Sequence, residues 1–181
     1  MNVRPLRLPD DVEALSHLDV ISTADTVLNV ATTATGFSFT ETPVSVPSSK
    51  NHEFLADVTS ADREWADGFV ACDGANITGF AATGYSRWNR RQVLCHLYVD
   101  RAHRGRGIAR GLIEHVLDLG RANGARQVWL ETQNTNTPAV RAYQAMGFEI
   151  VGLDRTLYDG DAAHETALYL AKPLVSTSER R

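Results

Sequence analysis

The sequence is poor in the features that mark several classes of protein. Its 181 residues include only two cysteines, Cys72 and Cys95, whose spacing matches neither a metal-binding nor a redox motif. We therefore expect both to be small buried thiols rather than parts of a disulfide framework. No apolar run approaches the ~20 residues that a membrane span needs, and the first residues lack the continuous apolar core of a secretory signal. These absences predict a cytoplasmic protein with no membrane partner.

Charge of neither sign dominates the chain. It carries 22 acidic and 18 basic side chains, a formal net charge of −4, which provides no general attraction for nucleic acid and suits a cationic partner better. The six histidines show no ligand spacing, so no metal site is expected. With 43% hydrophobic residues, the composition is that of one globular domain. We place this domain at residues 1–175 and a disordered polar tail at 176–181.

The hydrophobic pattern predicts strands and helices without an internal repeat. An apolar row at helical spacing begins at Ile108, and Asn123-Gly124 is a typical end for that helix. Thr137-Pro138 predicts the start of a second helix, with Thr137 as its cap. Residues 22–49, rich in Thr, Ser and Pro, are expected to form a strand or flap bordered by turns. The order of elements predicts a mixed, twisted sheet with helices on both faces, in the α/β (α+β) class.

A strand that ends near Val99 runs through a glycine-bearing loop directly into the first of these helices. The loop and the first helical residues are Arg104-Gly105-Arg106-Gly107-Ile108-Ala109. The two glycines let the backbone turn and approach an anion closely, and the unpaired N–H groups and dipole of the helix start attract negative charge. The two arginines add point charges. The arrangement predicts a pyrophosphate site, and a surface loop with solvated arginines is the alternative.

A second pattern extends from Asn136 to Phe148. Its Tyr143 falls at helical spacing with Val140 and Met146, which by itself favours a core tyrosine. Taken together with the phosphate loop earlier in the chain, it forms a pair of patterns that matches a known family.

The two patterns together resemble those of the GNAT superfamily of acyl-CoA N-acyltransferases. The loop pattern of that superfamily, Arg/Gln-x-x-Gly-x-Gly/Ala, is met with Arg104 first, Gly107 fourth and Ala109 sixth. Its later pattern, Asn-x-x-Ala-x-x-x-Tyr-x-x-x-Gly-Phe, is met by Asn136, Ala139, Tyr143, Gly147 and Phe148. Within the superfamily, the chain is similar to the streptothricin acetyltransferases over about residues 65–172.

The resemblance implies the GNAT fold, with acetyl-CoA as the acetyl donor and coenzyme A as a product. The pantetheine arm would pair with the backbone of the strand before the loop, and the diphosphate would bind the loop. The implied cofactor-binding residues are Leu97, Tyr98, Val99, Arg104, Gly105, Arg106, Gly107, Ile108, Ala109, Asn136, Ala139 and Tyr143. Tyr143 also resembles the family tyrosine that gives a proton to the departing thiolate.

The identity of the base is open between His96 and Glu131. An aliphatic ammonium has a pKa near ~10, so a base or a water relay must remove a proton before the amine attacks. A packed histidine bonded to backbone is the alternative for His96, and an ammonium ligand or a strand-end surface carboxylate for Glu131. Where the streptothricin acetyltransferases usually carry two acidic residues, this chain has Cys95 and His96, which leaves the acceptor open as well.

The implied acceptor is an amine of a small cationic molecule, and the narrower expectation is the β-lysine amino group of streptothricin. The candidate substrate-binding residues lie in segments that distinguish the antibiotic acetyltransferases: Asp25, Tyr85, Trp88, Glu131, Asp154 and Tyr158. A core position for Trp88 and a turn-capping role for Asp154 are the alternatives. A non-catalytic acyl-CoA-binding or sensor module and a protein or peptide amine acetyltransferase are the competing functions. A homodimer is a further expectation, because many relatives pair.

Overall fold

The computed structural model of the chain describes residues 2–174. Over this range the chain divides into two compact units. The first unit holds residues 2–20, 52–129 and 173–174, and the second holds residues 21–51 and 130–172. Within residues 2–174 no helix combines the length and apolarity needed to cross a membrane. The single domain at 1–175 stays a prediction, and the tail predicted at 176–181 lies outside the described residues.

Strands outnumber helices in the described part of the chain. The strands are β1 (Asn2–Pro5), β2 (Ser22–Thr33), β3 (Gly36–Lys50), β4 (Asp67–Asp73), β5 (Asn76–Ser86), β6 (Arg91–Val99), β7 (Gln127–Gln133), β8 (Glu149–Asp154) and β9 (Ala167–Pro173). The α-helices are α1 (Val12–Ser16), α2 (Leu55–Thr59), α3 (Ile108–Ala122) and α4 (Thr137–Ala145). Single 3₁₀ turns lie at Arg101–His103 and Gly160–Ala162.

Four strands of the first unit form an antiparallel sheet in the order β1, β4, β5, β6. A tight turn joins β4 to β5, and Gly74 in that turn has a φ of +59°, a value that glycine adopts without strain. The register of β5 and β6 sets Phe80 opposite Tyr98 and Ala82 opposite His96. Because alternate residues of a strand share a face, His96 and Tyr98 project from the same side of this sheet.

Helix α3 covers the other side of the sheet and contacts β4, β5 and β6. Its inner face is fully or almost fully buried and consists of Ile108, Leu112, Ile113, Val116 and Leu117. The helix ends as predicted, with Asn123 as its C-cap and Gly124 at a φ of +70°.

Close approach between α3 and β5 depends on Gly79. A Cβ atom at this position would lie 2.8 Å from Cγ2 of Ile108, 3.1 Å from Cδ1 of Leu112 and 3.1 Å from the carbonyl oxygen of Tyr98. The β-branched isoleucine has little rotamer freedom in a helix. Glycine at this position therefore fixes how closely the helix can lie on the strand.

The opposite face of the same sheet carries the small helices α1 and α2 over an apolar cluster. Phe80 is completely buried in it and stacks on Phe54, with ring centroids 5.6 Å apart. Cys72 belongs to this cluster, as predicted, but Cys95 is exposed, and the prediction of a buried thiol there was wrong. Cys95 lies at an irregularity in the register of β5 and β6, between the pairs Ala82–His96 and Thr83–Leu94, and the extra residue of such a bulge is left unpaired.

In the second unit the strands β7, β9 and β8 lie in that order, and β2 and β3 form a separate hairpin. The expectation of a strand or flap over 22–49 missed the length of this hairpin, whose register shifts between Ala24 and Thr26. Its two prolines lie in β3, and a two-stranded ribbon has only edge strands, where proline is tolerated.

Helix α4 begins at Thr137, but Asn136 is the N-cap residue, and the hydroxyl of Thr137 bonds to the carbonyl oxygen of Thr26 on β2 at 3.1 Å. The prediction of a threonine cap was therefore wrong.

Gly79→Ala is expected to lower the free energy of unfolding by about 1–3 kcal/mol, because the added methyl group overpacks the contact between α3 and β5. Urea denaturation followed by circular dichroism measures the change. Gly152→Ala is the matched control, since a Cβ on that strand residue meets its nearest atom at an ordinary 3.4 Å. Equal stability losses for the two variants would contradict the close packing described here.

Candidate active site

The loop before α3 has the backbone that the sequence predicted. Gly105 and Gly107 have φ values of +76° and +80°, and a Cβ at either position would meet no atom within 4 Å. Gly107 is the N-cap of α3 and supplies no side chain to the free N–H groups of the first turn. The loop is exposed, and Nε of Arg104 donates to the carbonyl oxygen of Val99 at 3.2 Å. An open helix start flanked by arginines fits the diphosphate of coenzyme A.

The predicted pantetheine segment lies in the second half of β6. Leu97, Tyr98 and Val99 are half-buried and pair on one side with residues 79–81 of β5. The strand leads directly to the phosphate-binding loop, so these predicted contacts of acetyl-CoA follow one another along one stretch of backbone.

His96 lies on the same strand and is bonded to a carboxylate rather than to backbone. Its Nε2 atom is 2.6 Å from Oδ2 of Asp57 on α2, and its Nδ1 atom is 3.5 Å from the hydroxyl of Tyr98. The Nε1–H of Trp65 donates to the same oxygen of Asp57 at 2.6 Å. Only 16% of the His96 side chain is exposed, and the rings of Phe80, Trp65 and Tyr98 lie around it, with centroid distances of 5.7 to 6.5 Å.

The environment shifts the pKa values of two groups next to His96. Burial alone would raise the pKa of Asp57, but the hydrogen bonds from His96 and Trp65 outweigh it and hold that pKa below its usual value. Burial, assisted by the charge of Asp57, raises the pKa of Tyr98 to about 12. At neutral pH Asp57 is therefore a carboxylate and Tyr98 a neutral phenol.

Glu131 and Tyr158, two predicted substrate-side residues of the second unit, are in direct contact. The hydroxyl of Tyr158 donates a short hydrogen bond to Oε1 of Glu131. Burial raises the pKa of Glu131 above its ordinary value, although this hydrogen bond acts in the opposite direction. Burial and the nearby carboxylate also raise the pKa of Tyr158. The pair presents a partly desolvated carboxylate that a cation would stabilise.

The same unit holds a second carboxylate that sequence reasoning missed. Glu165 is 4% exposed, forms an ion pair with Lys50, and accepts a hydrogen bond from the hydroxyl of Thr135 at 2.8 Å. Its charge contributes to the raised pKa of Glu131. A charged residue two positions before a buried strand was the only signal in the sequence, and such residues are more often solvated.

The residues of the later pattern lie on or at the start of α4. Asn136 precedes the helix, and its carbonyl oxygen accepts hydrogen bonds from the N–H groups of Ala139 and Val140. Tyr143 is half-buried and packs edge-on against Phe148, with ring centroids 5.7 Å apart. Val140 and Phe148 are buried. The tyrosine thus has a packed ring without being a core residue.

The remaining substrate candidates differ widely in exposure. Trp88 is 88% exposed in the turn between β5 and β6, so the alternative of a core tryptophan was wrong. Tyr85 is half-buried at the end of β5, and Asp25 is exposed on β2. Asp154 accepts hydrogen bonds from the N–H and hydroxyl of Thr156, which is the turn-capping role.

The structure therefore gathers the predicted site residues into local groups. The first unit holds His96, the β6 backbone and the phosphate loop, together with Tyr85 and Trp88. The second unit holds Glu131 bonded to Tyr158, the residues of α4, and Asp25 and Asp154. Asp57 and Trp65 were missed, because no local pattern marks a carboxylate on a helix of five residues.

Comparison with known proteins identifies the family of the chain. The sequence model of the Acetyltransferase (GNAT) family matches residues 35–148. The chain belongs to this family: it is an acetyl-CoA-dependent N-acetyltransferase with the α/β GNAT fold, as the sequence predicted.

Individual relatives refine the comparison. The chain is 42% identical over 175 residues to the streptothricin acetyltransferase of Streptomyces lavendulae, with 91% of each chain covered. The crystal structure of nourseothricin acetyltransferase is 38% identical, covers 96% of this chain and 98% of its own, and superposes with a TM-score of 0.83. A Bacillus anthracis structure in complex with acetyl coenzyme A, 22% identical, covers 95% of this chain and 98% of its own with a TM-score of 0.81, and shows the shared fold.

Arg106→Ala is expected to raise the Kd for acetyl-CoA about tenfold, a loss of about 1.4 kcal/mol, because one charge next to the diphosphate is removed. Isothermal titration calorimetry measures the change. Arg121→Ala removes an arginine at the other end of α3, where it pairs with Asp118 on the surface, and should leave the Kd unchanged. The same Kd for Arg106→Ala and the native protein would contradict the assignment of the loop.

Proposed function

We propose that this enzyme acetylates an amine of a streptothricin-type antibiotic, with the β-lysine amino group as the acceptor, and so confers resistance. The observation that carries the proposal is the similarity to the Streptomyces lavendulae enzyme, which extends over 91% of both chains. Similarity over nearly the whole length includes the segments outside the cofactor motifs, where acceptor specificity is expected to reside. The β-lysine group is a small cationic amine, in agreement with a net charge of −4.

The carboxylates of the second unit support a cationic acceptor. Glu131 is partly desolvated, with a raised pKa, and its hydrogen bond from Tyr158 fixes its orientation. An ammonium group bound next to this carboxylate would favour its charged form and lower its pKa again. Burial raises the energy of the unpaired charge, so a cation gains more from this carboxylate than from a fully solvated one.

Different residues of the chain would carry out the successive proton transfers of the reaction. Acetyl-CoA supplies the thioester whose acetyl group is transferred. Before the transfer, His96 or Glu131 removes a proton from the ammonium, directly or through water, and frees the nitrogen lone pair. Tyr143 gives its phenolic proton to the departing sulfur and regains one from the acylated nitrogen. The cytoplasmic location and the homodimer stay predictions.

The purified protein is expected to release thiol from acetyl-CoA when streptothricin is added, and to release far less with polyamines, lysine or short peptides. A thiol-reactive dye follows the release. Glu131→Gln should raise the KM for streptothricin about tenfold, because one carboxylate is lost from the cation site, and should leave the KM for acetyl-CoA unchanged. Acetylation of peptides without any acetylation of streptothricin would contradict the proposal and favour a peptide amine acetyltransferase.

Tyr143→Phe is expected to lower kcat by about 10- to 1000-fold while the Kd for acetyl-CoA stays nearly the same, because only the proton donor is lost. Steady-state kinetics and calorimetry measure the two quantities. Tyr169→Phe, on β9, serves as a control for the loss of a tyrosine hydroxyl. An unchanged kcat in Tyr143→Phe would remove this residue from the mechanism.

A further inference from the structure

We propose that Asp57 is a positioning residue that holds His96 as the base of the acetyl transfer, with Nδ1 of the imidazole as the atom that takes the proton. This inference rests on the proposed function and decides which of the two candidate bases acts.

The tautomer follows from the bonding of the carboxylate. An ionised carboxylate only accepts hydrogen bonds, and Oδ2 of Asp57 lies 2.6 Å from both Nε2 of His96 and Nε1 of Trp65. Both nitrogens therefore donate to it. A neutral imidazole that carries its hydrogen on Nε2 has its lone pair on Nδ1. The carboxylate thus selects the tautomer in which Nδ1 is ready to accept a proton.

The surroundings hold both partners in one arrangement. Trp65 is 5% exposed, and its hydrogen bond to Oδ2 of Asp57 helps to hold the carboxylate in place. Phe80 stacks beside the imidazole at 6.0 Å between ring centroids. A ring packed in this way cannot turn to exchange its two nitrogens without displacing its neighbours.

The titratable and charged groups near His96 are few. Asp57 faces it from α2, and Tyr98 faces Nδ1 from β6 itself. Two more lie behind these partners: Arg63 stacks over Trp65, with its guanidinium carbon 4.9 Å from the ring, and His52 lies 5.5 Å from the ring of Tyr98. Phe80 and Ala82 on β5 carry no charge. Asp57 is thus the anion in direct contact with the imidazole.

The proton transfer balances without a further reactant. The N–H bond of the acceptor ammonium breaks and an Nδ1–H bond forms on His96, so the amine becomes neutral and the imidazole becomes imidazolium. The carboxylate of Asp57 offsets that new positive charge. After acetyl transfer, the proton on Nδ1 passes to water, and the tautomer that Asp57 selects is restored.

Asp57→Asn is expected to lower kcat/KM for the amine about 100-fold with no change in the KM for acetyl-CoA. The unchanged KM for acetyl-CoA distinguishes loss of the base from a general structural defect, which would alter the constants of both substrates. Asp118→Asn, a surface variant on α3 that is 75% exposed at its side chain, is the control. An unchanged kcat/KM for the amine in Asp57→Asn would overturn the proposal.

A double-mutant cycle tests whether Asp57 acts through His96. Gln at position 96 still donates a hydrogen bond to Asp57 but accepts no proton near neutral pH, so His96→Gln keeps the contact and removes the base. If Asp57 only positions His96, the variant with both changes has the same kcat/KM as His96→Gln alone. Effects that multiply instead would show that Asp57 acts elsewhere and would overturn the proposal.

A measurement without substrates separates this inference from the proposed function. Nitrogen-15 NMR of the labelled imidazole at alkaline pH should show the hydrogen of His96 on Nε2 in the native protein and in Asp118→Asn, and a mixture of tautomers in Asp57→Asn. A hydrogen on Nδ1 would overturn the role of Asp57 whatever the acceptor. If no thiol is released from acetyl-CoA with streptothricin but the Nε2–H tautomer is found, only the antibiotic assignment fails. The double-mutant cycle is then measured with the amine that does react.

Discussion

The packing of α3 on the sheet of the first unit is the contact on which the proposed cofactor site depends. The loop after β6 can present free N–H groups only if the first turn of the helix is held in place, and the buried side chains from Ile108 onward hold it there. Gly79 sets the distance of that contact. Gly105 and Gly107 then take left-handed conformations that join the strand to the helix. Packing deep in the unit thus determines the anion-binding backbone at its surface.

The two candidate bases are held in different ways, and the difference has chemical consequences. The carboxylate of Glu131 is desolvated and accepts a hydrogen bond from Tyr158, so its pKa is raised and its natural partner is a cation. His96 is bonded to a carboxylate whose pKa is lowered, so its Nε2 atom has a charged hydrogen-bond partner. The two side chains are therefore suited to different steps of the proposed reaction.

The relatives explain why the chain can depart from them at one place and keep the same activity class. An identity of 42% over nearly the whole length allows individual side chains to differ in chemistry between this chain and its relative. Cys95 faces solvent, so this position imposes little on the core. The ring nitrogens of His96 are bonded to Asp57 and Tyr98 inside an aromatic cluster. A buried polar side chain is stable only with such partners.

The sequence alone determined the features that depend on neighbouring residues. The glycine loop, the end of α3 at Asn123-Gly124 and the helix that carries Tyr143 follow from backbone conformation and hydrophobic period, which act over a few positions. The tertiary structure decided the rest: the long β2–β3 hairpin, the exposure of Cys95 and Trp88, and the contact of His96 with Asp57, 39 positions earlier. Such contacts have no signature along the chain, because they exist only after packing has brought distant segments to the same place.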